Sequence, residues 1–193
     1  PPVLTRTWFH TGALLDGPRI SRQYEDEYYR APGLSDALLP DTTLPPDLTT
    51  NEAREACRAL KGSLLRREVF ALDGTAKADH PYRVSEQDYA LRRLQKSGEN
   101  RHAVFLVHPR ETIEYHYERN PADPRVSHAL TLEVDDFGNV LNHAAVGYGR
   151  QQSDPDLPQQ ADRDKQTATL VTYTENDVTN PIAEDDAYRA PLL

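Results

Sequence analysis

Cysteine is nearly absent. Cys57 is the single one among 193 residues, so no internal disulfide forms and no covalent framework staples the chain. It reads as a buried structural thiol, with a reactive nucleophile as the alternative. Methionine is missing altogether, position 1 included, and the chain opens Pro-Pro-Val-Leu-Thr-Arg-Thr-Trp. That start predicts one segment, residues 1–193, cut from a longer protein and lacking a signal peptide. No apolar run reaches 18 residues, so no membrane-spanning helix is expected. Positive charge is in deficit: 22 Lys and Arg face 31 Asp and Glu, for a net −9. An acidic chain is a poor partner for nucleic acid phosphates and for anionic membrane surfaces. Hydrophobic residues make up 37%, below the usual ~45–50%, while proline reaches 15 against 9 glycines. This is a loop-rich composition, yet apolar periodicity is clear in several stretches.

The richest of these is Arg101 to Arg150, which reads as four strands and three turns. Ala103–Val107 is a short apolar run closed by Pro109. In Thr112–Tyr117, Ile113, Tyr115 and Tyr117 share one face. Asn120-Pro121-Ala122-Asp123-Pro124 is a loop, since proline has no N–H to give a ladder. Leu130, Leu132 and Val134 then alternate with polar residues. A turn at Asp136-Phe137-Gly138-Asn139 follows, and Val140, Ala144, Val146 and Tyr148 resume the inward face, making a hairpin with glycine where positive φ is needed.

Elsewhere, Val3–His10 reads as a strand whose outer edge would pair beyond the segment, with Trp8 and Phe9 on opposite faces. Ile20–Tyr29 predicts a short helix or helical turn. Pro32–Pro46 is loop, with Leu34, Leu38 and Leu39 in one apolar turn. A helix opens at Thr50 or Asn51 as cap, with Glu52 and Glu55 in its first turn, an Ala53, Ala56, Cys57, Leu60 stripe, and Gly62 as the stop. Leu64–Leu72 is a strand whose apolar parity also holds Arg66 and Glu68, which predicts an edge strand or one covered on both sides. Val84–Leu94 reads as a strand with a helical turn, and Lys96–Asn100 as a polar turn. Gln151–Gln166 reads as a solvated loop, Thr167–Glu175 as a last strand, and Asp185–Leu193 as a linker. The fold class is mainly β: antiparallel hairpins, one or two short helices and long Pro-rich loops.

No reactive constellation emerges. The seven histidines (His10, His80, His102, His108, His116, His128 and His143) show no zinc-type spacing. Glu111 and Glu114 fall on opposite faces of one strand and so do not form a carboxylate pair. Asp135 and Asp136 read as turn caps. Gly147-Tyr148-Gly149-Arg150 follows a strand but lacks the helix that a phosphate loop requires. Neither a calcium loop nor a nucleophile elbow is present. No catalytic residue, cofactor or metal is assigned.

Five runs carry a resemblance: Thr7–Gly12, Ile20–Tyr29, Cys57–Gly74, Asn100–Leu141 and Leu170–Asn180. Together they resemble the middle/C-terminal region of the TcdB family, the B components of insecticidal Tc toxin complexes. The stretches Asp36–Asp47 and Gln151–Asp164 carry the least of it. Val134–Val140 is also similar to one Rhs/YD repeat unit, with Val134 in place of the tyrosine. The resemblance implies a Rhs-like β-shell segment in a secreted toxin. In that family the B component joins a C component into a hollow shell around the toxic C-terminal segment of C. A propeller elsewhere in B docks on the A component. The self-cleaving aspartates belong to C, so no catalytic position carries over. The implied role is structural and non-enzymatic, without membrane insertion. Two alternatives stand beside it. One is a carbohydrate- or receptor-binding β module using Tyr28, Tyr29, Tyr115 or Tyr117 as platforms. The other is a hydrolase using Glu111 or Asp135.

Overall fold

The computed structural model describes residues 2–15, 19–32 and 38–192. Seven antiparallel strands form one sheet in chain order: β1 (Val3–Phe9), β2 (Leu64–Ala71), β3 (Arg83–Gln95), β4 (Val104–His116), β5 (Arg125–Val134), β6 (Val140–Tyr148) and β7 (Leu170–Glu175). Every neighbour pair is antiparallel. The sheet is a meander that folds by successive local pairings from β2 to β6, the arrangement with least loop-closure entropy. β1 and β7 end the sheet, and among the described residues neither has an outer neighbour. The expectation that the first strand is an edge holds.

Residues 19–32 and 38–42 form a strap across one face of β2, β3 and β4. Its single 3-10 turn is Glu25–Glu27, inside the predicted Ile20–Tyr29 span. Of its predicted apolar turn, Leu39 is buried, while Leu34 lies outside the described residues. Where strap meets sheet, Ala31 of the strap forms a buried cluster with Val84 and Tyr117, with Tyr29 and Tyr115 against it. Tyr29 meets Tyr117 edge-on at 5.7 Å, and Tyr115 stacks on Tyr117 at 5.7 Å. Such pairs add roughly 0.5–1.5 kcal/mol each beyond their buried area.

Helix α1 (Thr50–Ala59) buries Ala56 and Cys57, and Leu60 after it is fully buried, as its stripe predicts. Its cap is Thr49, one residue ahead of the expected Thr50 or Asn51. The Thr49 side chain accepts from the Glu52 amide, and Glu52 reaches back to the Thr49 amide at 3.0 Å. Glu52 is favoured there twice over, because its other oxygen accepts from Ser97 N–H at 3.1 Å. Thr49→Ala is expected to lower stability by about 1 kcal/mol, read as a lower urea midpoint; an unchanged midpoint would mean that the cap is not limiting.

Five expectations are corrected. Ala103–Val107 and Thr112–Tyr117 belong to one 13-residue strand, β4, which runs through Pro109. Asp88 pairs Glu111 while the next residue, Tyr89, pairs Pro109, so Arg110 is an extra residue in a bulge. Pairing with β5 also stops at Glu111, so the proline sits at a bulge where one neighbour is lost, a position that tolerates a missing N–H. Val84–Leu94 is strand throughout, with no helical turn, because β4 supplies ladder partners along the stretch while β2 pairs it only as far as Glu86. Leu132 is skipped by the β5–β6 register and is 54% exposed rather than inward. The predicted loop Gln151–Gln166 holds helix α2 (Gln160–Thr167). Its polar composition gave no apolar stripe to read. Asp185–Leu193, expected as linker, contributes β9 (Ala187–Arg189), which pairs β8 (Ile182–Glu184) in a small hairpin. The Gly138 turn forms as expected, with φ at 88°.

Candidate functional site

The densest chemistry lies under the strap. Register places Arg66, Glu68 and Glu86 on one face of β2 and β3, and all three are buried. Arg66 Nε donates to Glu68 Oε1 and Nη1 donates to Glu86 Oε2, each at 2.8 Å. Nη2 donates to the Tyr29 carbonyl at 3.0 Å, and the guanidinium lies 4.8 Å from the centre of the Tyr28 ring. The carboxylates turn their remaining capacity on the strap. Glu68 Oε1 accepts Tyr29 N–H and Glu86 Oε1 accepts Leu39 N–H, each at 2.8 Å. Burial pushes the Glu86 carboxyl above its ordinary range, and the Arg66 charge opposes that. Burial also raises the Tyr28 hydroxyl. One Arg between two Glu leaves a net negative charge in the cluster. Its geometry is that of a latch: the Arg66–Glu68 pair closes within β2, the Arg66–Glu86 pair ties β2 to β3, three further bonds tie this cluster to the strap at Tyr29 and Leu39, and Glu68 Oε2 is buried without a partner.

The expected absence of a carboxylate pair follows from placement. Glu111 faces His128 (3.1 Å), on the same side as the strap; Glu114 lies on the other side with Arg83 and His116. A polar chain runs Tyr148–His128–Glu111–Arg110–Asp88 across β6 to β3. Asp88 is raised by burial, against the pull of Arg110. No Ser, Thr or Cys nucleophile is hydrogen-bonded within this chain. Asp135 is a turn cap: its carboxylate accepts Phe137 N–H at 2.9 Å and Asn139 N–H at 2.8 Å. Burial would raise it, but these bonds outweigh that and hold it below the usual carboxylate range. Asp136 pairs Arg92 at 3.0 Å.

The histidines disperse. His10 is buried, His80 meets Tyr29, His102 meets Glu55, and His108 bonds the next residue's carbonyl. Among the described residues no three His, Cys, Asp or Glu side chains cluster as a metal would need. Cys57 is buried and its thiol is pushed upward by that burial, which suits a structural role. Gly147–Arg150 leads out of β6 toward α2 by way of Gly149. A Cβ on Gly149 would strike the backbone carbonyl of Thr167, so glycine serves close approach there. Tyr28 and Tyr117 are buried, and Tyr29 and Tyr115 pack against the core, so these four offer no stacking platform.

Sequence reasoning missed the latch. The available signal was the shared parity of Arg66 and Glu68 with Phe70, which left an edge strand and a covered one as alternatives; β2 lies between β1 and β3 and is the covered one. Beyond β4 the same face loses its cover. Val171 is 66% exposed, Tyr173 54% and Tyr148 44%, in line with half-buried Val146. The sheet is thus finished at its centre and open at its β7 side.

A family model described as the insecticide toxin TcdB middle/C-terminal region matches residues 55–190. Among solved structures, a TcdB2–TccC3 crystal structure aligns with 100% of this chain at 29% identity and a TM-score of 0.81. A TcdB2–TccC3 crystal structure without its hypervariable C-terminal region aligns over 97% at 31% identity and 0.80. A Photorhabdus luminescens Tc holotoxin pore aligns over 96% at 30% identity and 0.74. The chain spans about a tenth of the length of these solved chains, 10%, 9% and 9% respectively. No curated protein matches.

Proposed function

Since this chain belongs to the insecticide toxin TcdB middle/C-terminal region family, we propose that it is a length of shell wall in the B component of a secreted Tc-type toxin complex. The wall joins a C component and helps enclose that component's toxic segment before translocation. Docking on the A component belongs to parts of B outside this stretch. The reading assigns no catalysis to it. The observation that carries it is the sheet itself: a meander with both outer edges unpaired among the described residues, whose central buried cluster of Arg66, Glu68 and Glu86 ties strands to each other and to the strap. Such edges ask for further strands, as a wall built from successive hairpins does. The Asp135–Asn139 hairpin, resembling a Rhs/YD unit, is one such stacking element.

The test uses full-length B protein assembled with its C component. The toxic segment of C is expected to resist protease in the assembly and to be digested in free C. Thr172→Pro, which removes a ladder N–H that β7 turns toward β6 opposite Ala145, is expected to restore digestion. Glu111→Gln is expected to leave toxicity intact. Equal digestion with and without B would remove the enclosing role. Loss of toxicity in Glu111→Gln at unchanged protease protection and stability would instead favour catalysis.

A further inference from the structure

On the sheet face opposite the strap, α2 stands beside the end of β6 and closes a hollow of about 440 Å³. His116, Arg125, Gly147, Arg150, Lys165 and Leu170 are among its lining, and no Asp or Glu lines it. This is unexpected in a chain with 31 acidic and 22 basic residues. The wall is fixed in place. Arg150 N–H donates to the Gln166 carbonyl at 2.8 Å, and Gly149 N–H donates to Thr169 Oγ1 at 3.2 Å. The bare Gly149 lets the helix end come this close.

The rim charges are held from outside the hollow. Arg150 pairs Asp123 and Arg125 pairs Glu118, each at 3.1 Å, while His116 lies 3.6 Å from Glu114. These contacts orient the arginines yet leave donors over, since a guanidinium carries five. Lys165 is exposed and has no carboxylate within 4 Å among the described residues. Leu170, 69% exposed, adds an apolar surface beside the charges.

We propose that this hollow receives an acidic segment of a partner polypeptide, its carboxylates on Arg125 and Lys165 and a neighbouring apolar side chain on Leu170. A protein segment fits better than nucleic acid or an anionic membrane, because the hollow is small, with room for a few side chains, and sets exposed Leu170 beside its charges, a pairing of carboxylate and apolar side chain that a polypeptide offers and a phosphate backbone does not. The site is independent of the shell reading: it needs only the hollow and its charges.

The experiment measures fluorescence anisotropy of a labelled peptide of alternating Glu and Leu on the full-length protein. The wild type is expected to bind it more weakly as salt rises. Lys165→Glu with Arg125→Glu is expected to weaken binding roughly tenfold or more, and Lys165→Gln alone by about threefold. Lys96→Glu with Arg101→Glu, an equal charge change at the β3–β4 turn, is expected to leave binding unchanged. Thermal unfolding of each variant confirms that it is folded; a variant that unfolds early is replaced by the Gln single variant. The proposal is overturned if the wild type ignores the peptide or if the rim variants bind as the wild type does. It is equally overturned if the control pair weakens binding as much, or if phosphatidylserine vesicles or duplex DNA bind the rim in preference to the peptide.

Discussion

Arg66→Met is expected to destabilise the chain by about 3–5 kcal/mol, the cost of stranding buried charges without their partner. Typical domains hold only about 5–15 kcal/mol in all, so a large part of the stability goes. The side chain of Arg66 is 5% exposed and that of Glu68 is fully buried. Methionine fills much of the volume but supplies none of the bonds to Glu68, Glu86 and the Tyr29 carbonyl. Arg66→Lys is expected to recover only a fraction, because an ammonium is a point charge and cannot reach three acceptors as a fork does. Neutralising the whole cluster, with Glu68→Gln and Glu86→Gln added to Arg66→Met, is expected to recover part of the loss. An amide oxygen still accepts the Tyr29 and Leu39 N–H groups that the carboxylates now hold. Urea unfolding followed by tyrosine fluorescence reads all three variants against the wild type. If Arg66→Met shifts the midpoint no more than a surface substitution does, the latch does not hold the strap.

Acid is expected to remove about 3 kcal/mol through His10 alone. The residue is 3% exposed, its Nε2 is buried without a hydrogen-bond partner, and its ring meets Tyr89 edge-on at 5.8 Å. Burial lowers its pKa from 6.5 to about 4, with the Asp41 charge acting in the other direction. The folded chain therefore resists a proton that the unfolded chain accepts below 6.5. Stability is whole above that pH and falls as pH drops from 6.5 to 4, at about 1.4 kcal/mol for each tenfold difference in proton affinity. Other groups titrate nearby. Hydrogen bonds hold Glu52, Glu55 and Asp73 low, so they lose stability in the same direction at lower pH; Glu86 and Asp88, raised by burial, act oppositely. The difference between wild type and His10→Phe isolates the histidine. Stability measured from pH 7 to 4 is expected to diverge between the two, with the variant losing less. Parallel curves would show that His10 takes no part.

Local patterns carried most of the strand map. Ile113, Tyr115 and Tyr117 alternate because a pleated strand sends every second side chain to the same side, and that rule needs no knowledge of neighbours. The Gly138 turn and the Ala56, Cys57, Leu60 stripe were legible for the same reason. Reading failed where a neighbour decides the outcome. Pro109 ends a strand by propensity, yet β3 pairs on past it by means of the extra residue Arg110. Helix α2 shows no stripe because none of its residues is buried. The pairing of histidines with acids, such as His128 with Glu111 from residues 17 positions apart, was not legible from spacing.

By itself the sequence determined that this chain is built of hairpins, where most of them turn, and which family it resembles, since these depend on residues within a few positions of one another. Only the tertiary structure decided what becomes of charge. The linear pattern leaves Arg66 and Glu68 on either an edge strand or a covered one; a strap from 37 and 39 residues away covers them and supplies the amide and carbonyl that make burial tolerable. The cost of a buried ion is set by the groups brought around it, and those come from distant parts of the chain.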